Sequence, residues 1–147
     1  MRIYKIKSHA KINLALNVTG KKSKLHMIES LISFIDLHDL ITVKESNTKQ
    51  HKIIFRGKFS KNIGKVNTIS KLLKILDNKK ILKNKKFRIE ILKNIPLKAG
   101  MGGGSMNAAT LLNFFVKKKM IKIKINELKK ICDCLLYTSD AADDSLR

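Results

Sequence analysis

Residues 87–118, FRIEILKNIPLKAGMGGGSMNAATLLNFFVKK, join a strand pattern to a helix pattern through a run of glycines. Phe87, Ile89 and Ile91 alternate with charged residues and Lys93 continues their phase, so an extended segment is expected over 87–95. Pro96 has no N–H to give to a ladder and ends it. Beyond the glycines, Ala108, Ala109, Leu111, Leu112 and Phe115 fall on one helical stripe, and a helix is expected over 105–118. The connecting string is Pro96, Leu97, Lys98, Ala99, Gly100, Met101, Gly102, Gly103, Gly104, Ser105, Met106 and Asn107. Consecutive glycines let backbone N–H groups turn inward with no Cβ in the way, and a helix start adds unpaired N–H groups and a partial positive charge. Such a site suits a polyphosphate, with the Ser105 hydroxyl offered to a phosphate oxygen or to Mg²⁺.

Spelling excludes three other glycine motifs. A Walker A loop needs Lys and then Ser or Thr after its last Gly, whereas Gly104 is followed by Ser105 and Met106. A dinucleotide fingerprint needs Gly three residues after Gly102, where Ser105 stands. A protein-kinase loop lies between two strands rather than before a helix. A flexible linker is also a poor reading, because this run leads directly into a patterned helix.

Working outward, residues 10–18 alternate strictly. Ile12, Leu14, Leu16 and Val18 fall on one face of a strand, and Lys11, Asn13, Ala15 and Asn17 on the other. Lys11 and Asn13 therefore project to the same side. Residues 20–24 form a turn, 28–36 a second extended run, and 40–44 and 52–56 further strands, from which an antiparallel sheet is expected. Asp36 and Asp39 read as turn and capping residues. From Val66 the period becomes helical through Ile69, Leu73 and Leu76, with Asn67 as the expected cap. A last helix is expected over 126–135, with Asn126 near its cap.

The composition bounds the function. The chain has 147 residues, enough for one ordinary domain. No apolar run reaches the roughly 18 residues that span a bilayer, and 1–7 lack the features of a secretory signal, so a cytoplasmic location is expected. Cys132 and Cys134 are too few and too close for a disulfide framework and are expected as reduced thiols. His9, His38 and His51 show no metal-ligand spacing with one another or with the cysteines, so no transition-metal site is expected. The formal net charge of +21 suggests a polyanion partner, but 28 of the 32 basic residues are Lys, aromatics make up 5%, and the Lys accompanies 20 Ile and 11 Asn. Base reading and stacking favour Arg and aromatic rings, so the charge fits an AT-rich coding bias better than a nucleic-acid surface.

With its preceding Pro, the glycine string resembles the phosphate-binding motif of the GHMP kinases, in which Pro, three residues and Gly-Leu-Gly-Ser-Ser-Ala-Ala follow in order; Met101 takes the place of Leu. A second stretch, residues 10–20 (AKINLALNVTG), followed by His26, Glu29-Ser30-Leu31 and residues 34–39 (FIDLHD), is similar to the N-terminal signature of one branch, whose acceptor is a cytidine-diphosphate-linked methylerythritol. The resemblance implies an α+β fold of the ribosomal protein S5 domain 2-like type, with a mostly antiparallel sheet and helices on one side. It implies ATP and Mg²⁺ as cofactors, Lys11 as the active-site lysine, Asn13 as an acceptor contact, His26 as a cytidine contact, and the loop 96–107 as the ATP site. The family usually carries Asp-Gly-Tyr before the His; Ser23-Lys24-Leu25 stand there instead, leaving backbone rather than an aromatic ring to meet the base.

The same resemblance divides the chain into residues 1–133, an incomplete GHMP kinase N-terminal domain, and residues 134–147. Lys occurs about once in five residues up to Lys130 and is absent from the 17 residues 131–147. Residues 134–144, CLLYTSDAADD, resemble a translated sequencing adapter, and the tail is expected to be non-native. They stand where the family carries its Gly-Ala-Asp segment with the general base, so this chain alone is expected to be inactive and the C-terminal domain absent. Two other readings remain: a basic RNA-binding αβ module, which accounts for the lysines but not the glycine loop, and another GHMP kinase such as a homoserine kinase, which accounts for the loop but not for residues 11–20.

Overall fold

A computed structural model describes residues 2–23 and 25–143. Lys24 and 144–147, the last four residues of the expected tail, lie outside the described residues. The elements run β1 (Ile3–Lys22), β2 (Leu25–Ser46), β3 (Lys52–Arg56), α1 (Thr68–Asn78), β4 (Lys86–Leu92), α2 (Gly103–Lys117) and α3 (Ile125–Asp143). The sheet order is β1-β2-β4-β3.

The extended runs expected at 28–36 and 40–44 are one strand, β2, which pairs antiparallel with β1 over almost its whole length. β2 also pairs antiparallel with β4. The sheet is mixed, however, because β3 pairs parallel with β4, Ile53 opposite Ile89 and Phe55 opposite Ile91. A parallel pair needs a crossover, and α1 lies between the two strands and supplies it. The helical period that the sequence shows between two strand patterns was thus the sign of a parallel neighbour.

One face of the sheet carries Ile41, Val43, Phe87, Ile89 and Ile91, all buried, and the three helices close over it with Leu72, Leu76, Leu111, Phe115 and Ile131. Asn67 caps α1 as expected: its side-chain oxygen accepts from the Ser70 N–H, and its own N–H donates to Ser70 Oγ. Val66 is outside the helix and exposed, and the buried stripe is Ile69, Leu72, Leu73 and Leu76. α2 begins at Gly103, two residues earlier than expected. α3 begins at Ile125, so Asn126 sits inside its first turn, where the Lys124 carbonyl accepts from Glu127 and Leu128. Among the described residues neither cysteine forms a disulfide. No helix among the described residues is long and apolar enough to cross a membrane.

Candidate active site

The glycine loop leaves the end of β4, an inner strand, and enters α2. Gly100 and Gly102 have φ of 69° and 68°, which an L side chain rarely adopts. Gly102 is the N-cap of α2, with no side-chain cap; its carbonyl accepts from Met106 at 2.7 Å. Among the described residues no side chain caps the first N–H groups of the helix at its positive end. A Cβ on Gly103 would lie 3.1 Å from Ile95 and 3.3 Å from Lys93 Nζ, so a side chain there would require these neighbours to shift by a few tenths of an ångström.

The loop is fixed by contacts from three other elements. From β1, the Lys11 N–H donates to the Met101 carbonyl at 3.1 Å. From α1, Thr68 Oγ1 donates to the Gly104 carbonyl at 2.9 Å, which draws the start of α1 to the start of α2. From β2, Asp39 takes the largest share. Its Oδ1 accepts from the N–H groups of Asn94 at 2.8 Å and Ile95 at 2.9 Å. Its Oδ2 accepts from Asn107 Nδ2 at 2.8 Å and pairs with the Lys93 ammonium. Asp39 and Lys93 are both buried. A carboxylate in a dry interior has to be paired and hydrogen-bonded; three of these donors, from Lys93, Asn94 and Ile95, follow the end of β4, and the fourth, Asn107, lies in the second turn of α2. The reading of Asp39 as a turn or cap residue is thus corrected: it sits within β2, in phase with Ile41 and Val43. Asp36 lies in an irregularity of the same strand.

Lys11 and residues 96–105 line one cleft of about 380 Å³, together with Thr68 and Lys93. Lys11 and Lys98 face it beside Lys93, which is already paired with Asp39, and among the described residues no carboxylate lines it, which matches a polyanion. Met106 and Asn107 are not in this lining. Asn107 is buried below the loop, and its Oδ1 has no hydrogen-bond partner among the described residues. A second, mainly apolar cleft of about 370 Å³ adjoins the first, sharing Thr68, Lys93, Leu97, Lys98 and Gly104.

Asn13 and His26 are not brought to the loop. Lys11, Ile12 and Asn13 form three regular pairs with Phe34, Ser33 and Ile32, so Lys11 and Asn13 do share a face, but Asn13 is exposed and outside the cleft. His26 pairs with Lys21 near the hairpin end, eight residues beyond Phe34, or roughly 26 Å along the strand.

Sequence reading missed Asp39, Lys93 and Thr68 as parts of the site. The signal for the first two was present: each is a charged residue in the buried phase of a strand, and two such residues of opposite charge must meet or remain unpaired.

A family model described as "GHMP kinases N terminal domain" matches residues 67–140, which include the cradle and the helix behind it. The chain belongs to the GHMP kinase family. Among curated relatives it is similar to the 4-diphosphocytidyl-2-C-methyl-D-erythritol kinase of Pelagibacter ubique (strain HTCC1062), with 79% identity over 131 residues, 89% of this chain and 47% of that protein. The kinase of the same description from Clostridioides difficile (strain 630) is 37% identical over 132 residues, 89% of this chain and 44% of the relative. A crystal structure of 4-(cytidine 5'-diphospho)-2C-methyl-D-erythritol kinase superposes with a TM-score of 0.68 at 24% identity, covering 90% of this chain and 46% of that one, a likeness of fold. This GHMP kinase chain thus spans about half the length of the relatives it matches.

Proposed function

We propose that this chain forms the nucleotide-binding half of a 4-diphosphocytidyl-2-C-methyl-D-erythritol kinase, which moves the γ-phosphoryl group of ATP to the 2-hydroxyl of its acceptor. The observation that carries the kinase reading is the convergence of the Gly100–Ser105 backbone and Lys11 on one carboxylate-free cleft at the start of α2. The acceptor is proposed from the 79% identity to a relative of that description. Phosphoryl transfer asks a protein mainly to fix positions and offset negative charge. The loop amides hold the phosphates, and the apolar cleft beside Phe55 and Ile63 receives the flat base. Lys11 places an ammonium beside the transferring group. Among the described residues no carboxylate lines the cleft, so of this half only the Ser105 hydroxyl would hold Mg²⁺, which when bound with ATP would offset charge on the phosphate oxygens.

Asn13 and His26 lie along the β1–β2 ribbon, which we propose as the acceptor side of the site, Asn13 meeting the acceptor and His26 the cytidine. Residues 1–133 are read as the nucleotide-binding domain and 134–147 as non-native, and the cytoplasm, where ATP is supplied, as the compartment. The sequence contains no Gly-Ala-Asp-like segment to provide a base, so the 147-residue chain binds Mg-ATP without turnover. The test is ADP release by the full-length protein and by this chain, each given the cytidine-linked acceptor, homoserine or mevalonate. Turnover by the full-length protein on the first acceptor alone is expected; preference for another acceptor, or turnover by residues 1–147, overturns the corresponding part. The RNA-binding alternative predicts tight binding of mixed-sequence RNA with a steep salt slope.

A further inference from the structure

A cluster outside the cleft was hidden by linear spacing. His9 and His38 are 29 positions apart in sequence, yet the β1–β2 register sets them directly opposite each other. Their ring centres are 5.3 Å apart. Two imidazoles on one tetrahedral ion, with metal–nitrogen bonds of about 2.0–2.1 Å, put their ring centres roughly 5.2 Å apart. Between this pair and Lys11–Phe34 the ladder slips, three residues of β2 standing against Ala10 alone. Such a bulge frees backbone groups and re-aims side chains. Here it presents Asp36, and one donor atom from each of His9, Asp36 and His38 lies within 4.8 Å of the other two.

The freed carbonyls orient the rings. The Ile35 carbonyl faces His9 Nδ1 at 3.0 Å and the Asp36 carbonyl faces His38 Nδ1 at 2.6 Å. A carbonyl only accepts, so Nδ1 of each ring carries the proton and Nε2 of the neutral ring keeps its lone pair. This is the arrangement of a metal-bound histidine, whose other ring nitrogen donates to a backbone carbonyl or carboxylate. We propose that His9, His38 and Asp36 form a site for one divalent transition cation of the zinc class, independent of the Mg²⁺ that accompanies ATP. Two imidazoles and a carboxylate suit such an ion better than Mg²⁺ or Ca²⁺, which prefer all-oxygen shells. Asp36 Oδ1 lies 3.8 Å from His38 Nδ1, the nitrogen that donates to the Asp36 carbonyl; donors on one tetrahedral ion lie about 3.3 Å apart, so the exposed Asp36 carboxylate turns from Nδ1 to the Nε2 side to close the site. The ion clamps β1 to β2 two residues before Lys11 and one before Asp39.

The test is a Co²⁺ titration, without nucleotide, of the 147-residue chain carrying Cys132→Ser and Cys134→Ser, followed by its visible bands and by displacement with Zn²⁺. One ion per chain is expected, with a melting temperature that rises with metal concentration. His9→Ala or His38→Ala weakens binding by more than about 100-fold, beyond the loss usual for a supporting residue, and Asp36→Asn by about 10-fold; His26→Ala and His51→Gln leave it unchanged. Equal affinity in the His9→Ala/His38→Ala double variant overturns the proposal. Should that variant not fold, imidazole resonances of the wild-type chain decide: selective broadening of His9 and His38 by Co²⁺ supports the site, and broadening elsewhere or nowhere overturns it.

Discussion

β1 and β2 are continuous strands with two different halves. From Tyr4 to Ala10, and from Asp39 to Val43, alternate residues point into a core closed by α1, α2 and α3. From Asn13 to Ile32 the same two strands continue as a ribbon that exposes Leu14, Leu16, Val18, Met27, Ile28 and Leu31. The alternation of Ile12, Leu14, Leu16 and Val18 is as regular as that of Ile41, Val43 and its neighbours, so pattern alone does not separate the halves. What separates them is the reach of the helices. Period-two patterning reports extended backbone, whereas burial depends on what a distant part of the chain lays against it.

The largest effect is expected where the buried half meets the loop. Asp39→Ala strands the Lys93 ammonium in the interior and removes the acceptor of Asn94, Ile95 and Asn107, and should cost about 3–5 kcal/mol. Urea denaturation measures it, and Mg-ATP binding should fall with it. In the core proper, Ile91→Ala should cost about 2–5 kcal/mol by the same measurement. Gly102→Ala should cost about 1–2 kcal/mol, because its φ of 68° suits glycine, and should weaken Mg-ATP binding measured by calorimetry. On the ribbon, Leu16→Ser should change the stability of this chain by no more than about 0.5 kcal/mol. A cost near that of Ile91→Ala would show the ribbon to be packed and would break the contrast.

A pH dependence sharpens the same comparison, since His51 belongs to the packed half. Its Nδ1 accepts from the Phe87 N–H at 3.0 Å and its Nε2 faces Asp77 at 3.2 Å. Burial holds its pKa below the ordinary 6.5, with Asp77 acting against that shift. As pH falls through about 6.5 the unfolded chain takes up the proton first, so stability present above that pH is lost on acidification until the folded ring also protonates. Urea midpoints at pH 7 and pH 5 should differ less in His51→Gln than in the wild-type chain.

Much of this was legible from residue types alone. Asn67 as a cap and the glycines before α2 follow from local chemistry, whereas Lys11 at the site was expected only from the family resemblance. β3 beside β4 in parallel was not foreseen, because closely spaced strand patterns suggest hairpins unless the helix between two of them is read as a crossover. Asp39 was assigned to a turn because aspartate is common there. Only its phase with Ile41 and Val43, set against the phase of Lys93 with Ile91, indicates a buried pair. His9 and His38 were beyond linear reading, since their meeting depends on register and on a bulge.

The central claim is that backbone amides at the start of α2 bind nucleotide phosphates within reach of Lys11. Backbone amide resonances of the 147-residue chain, followed during a Mg-ATP titration, test it most directly. Saturable shifts concentrated at residues 100–105 and at Lys11, diminished in Gly102→Ala, are the expected result. Shifts spread over the surface lysines and abolished by moderate salt would contradict it.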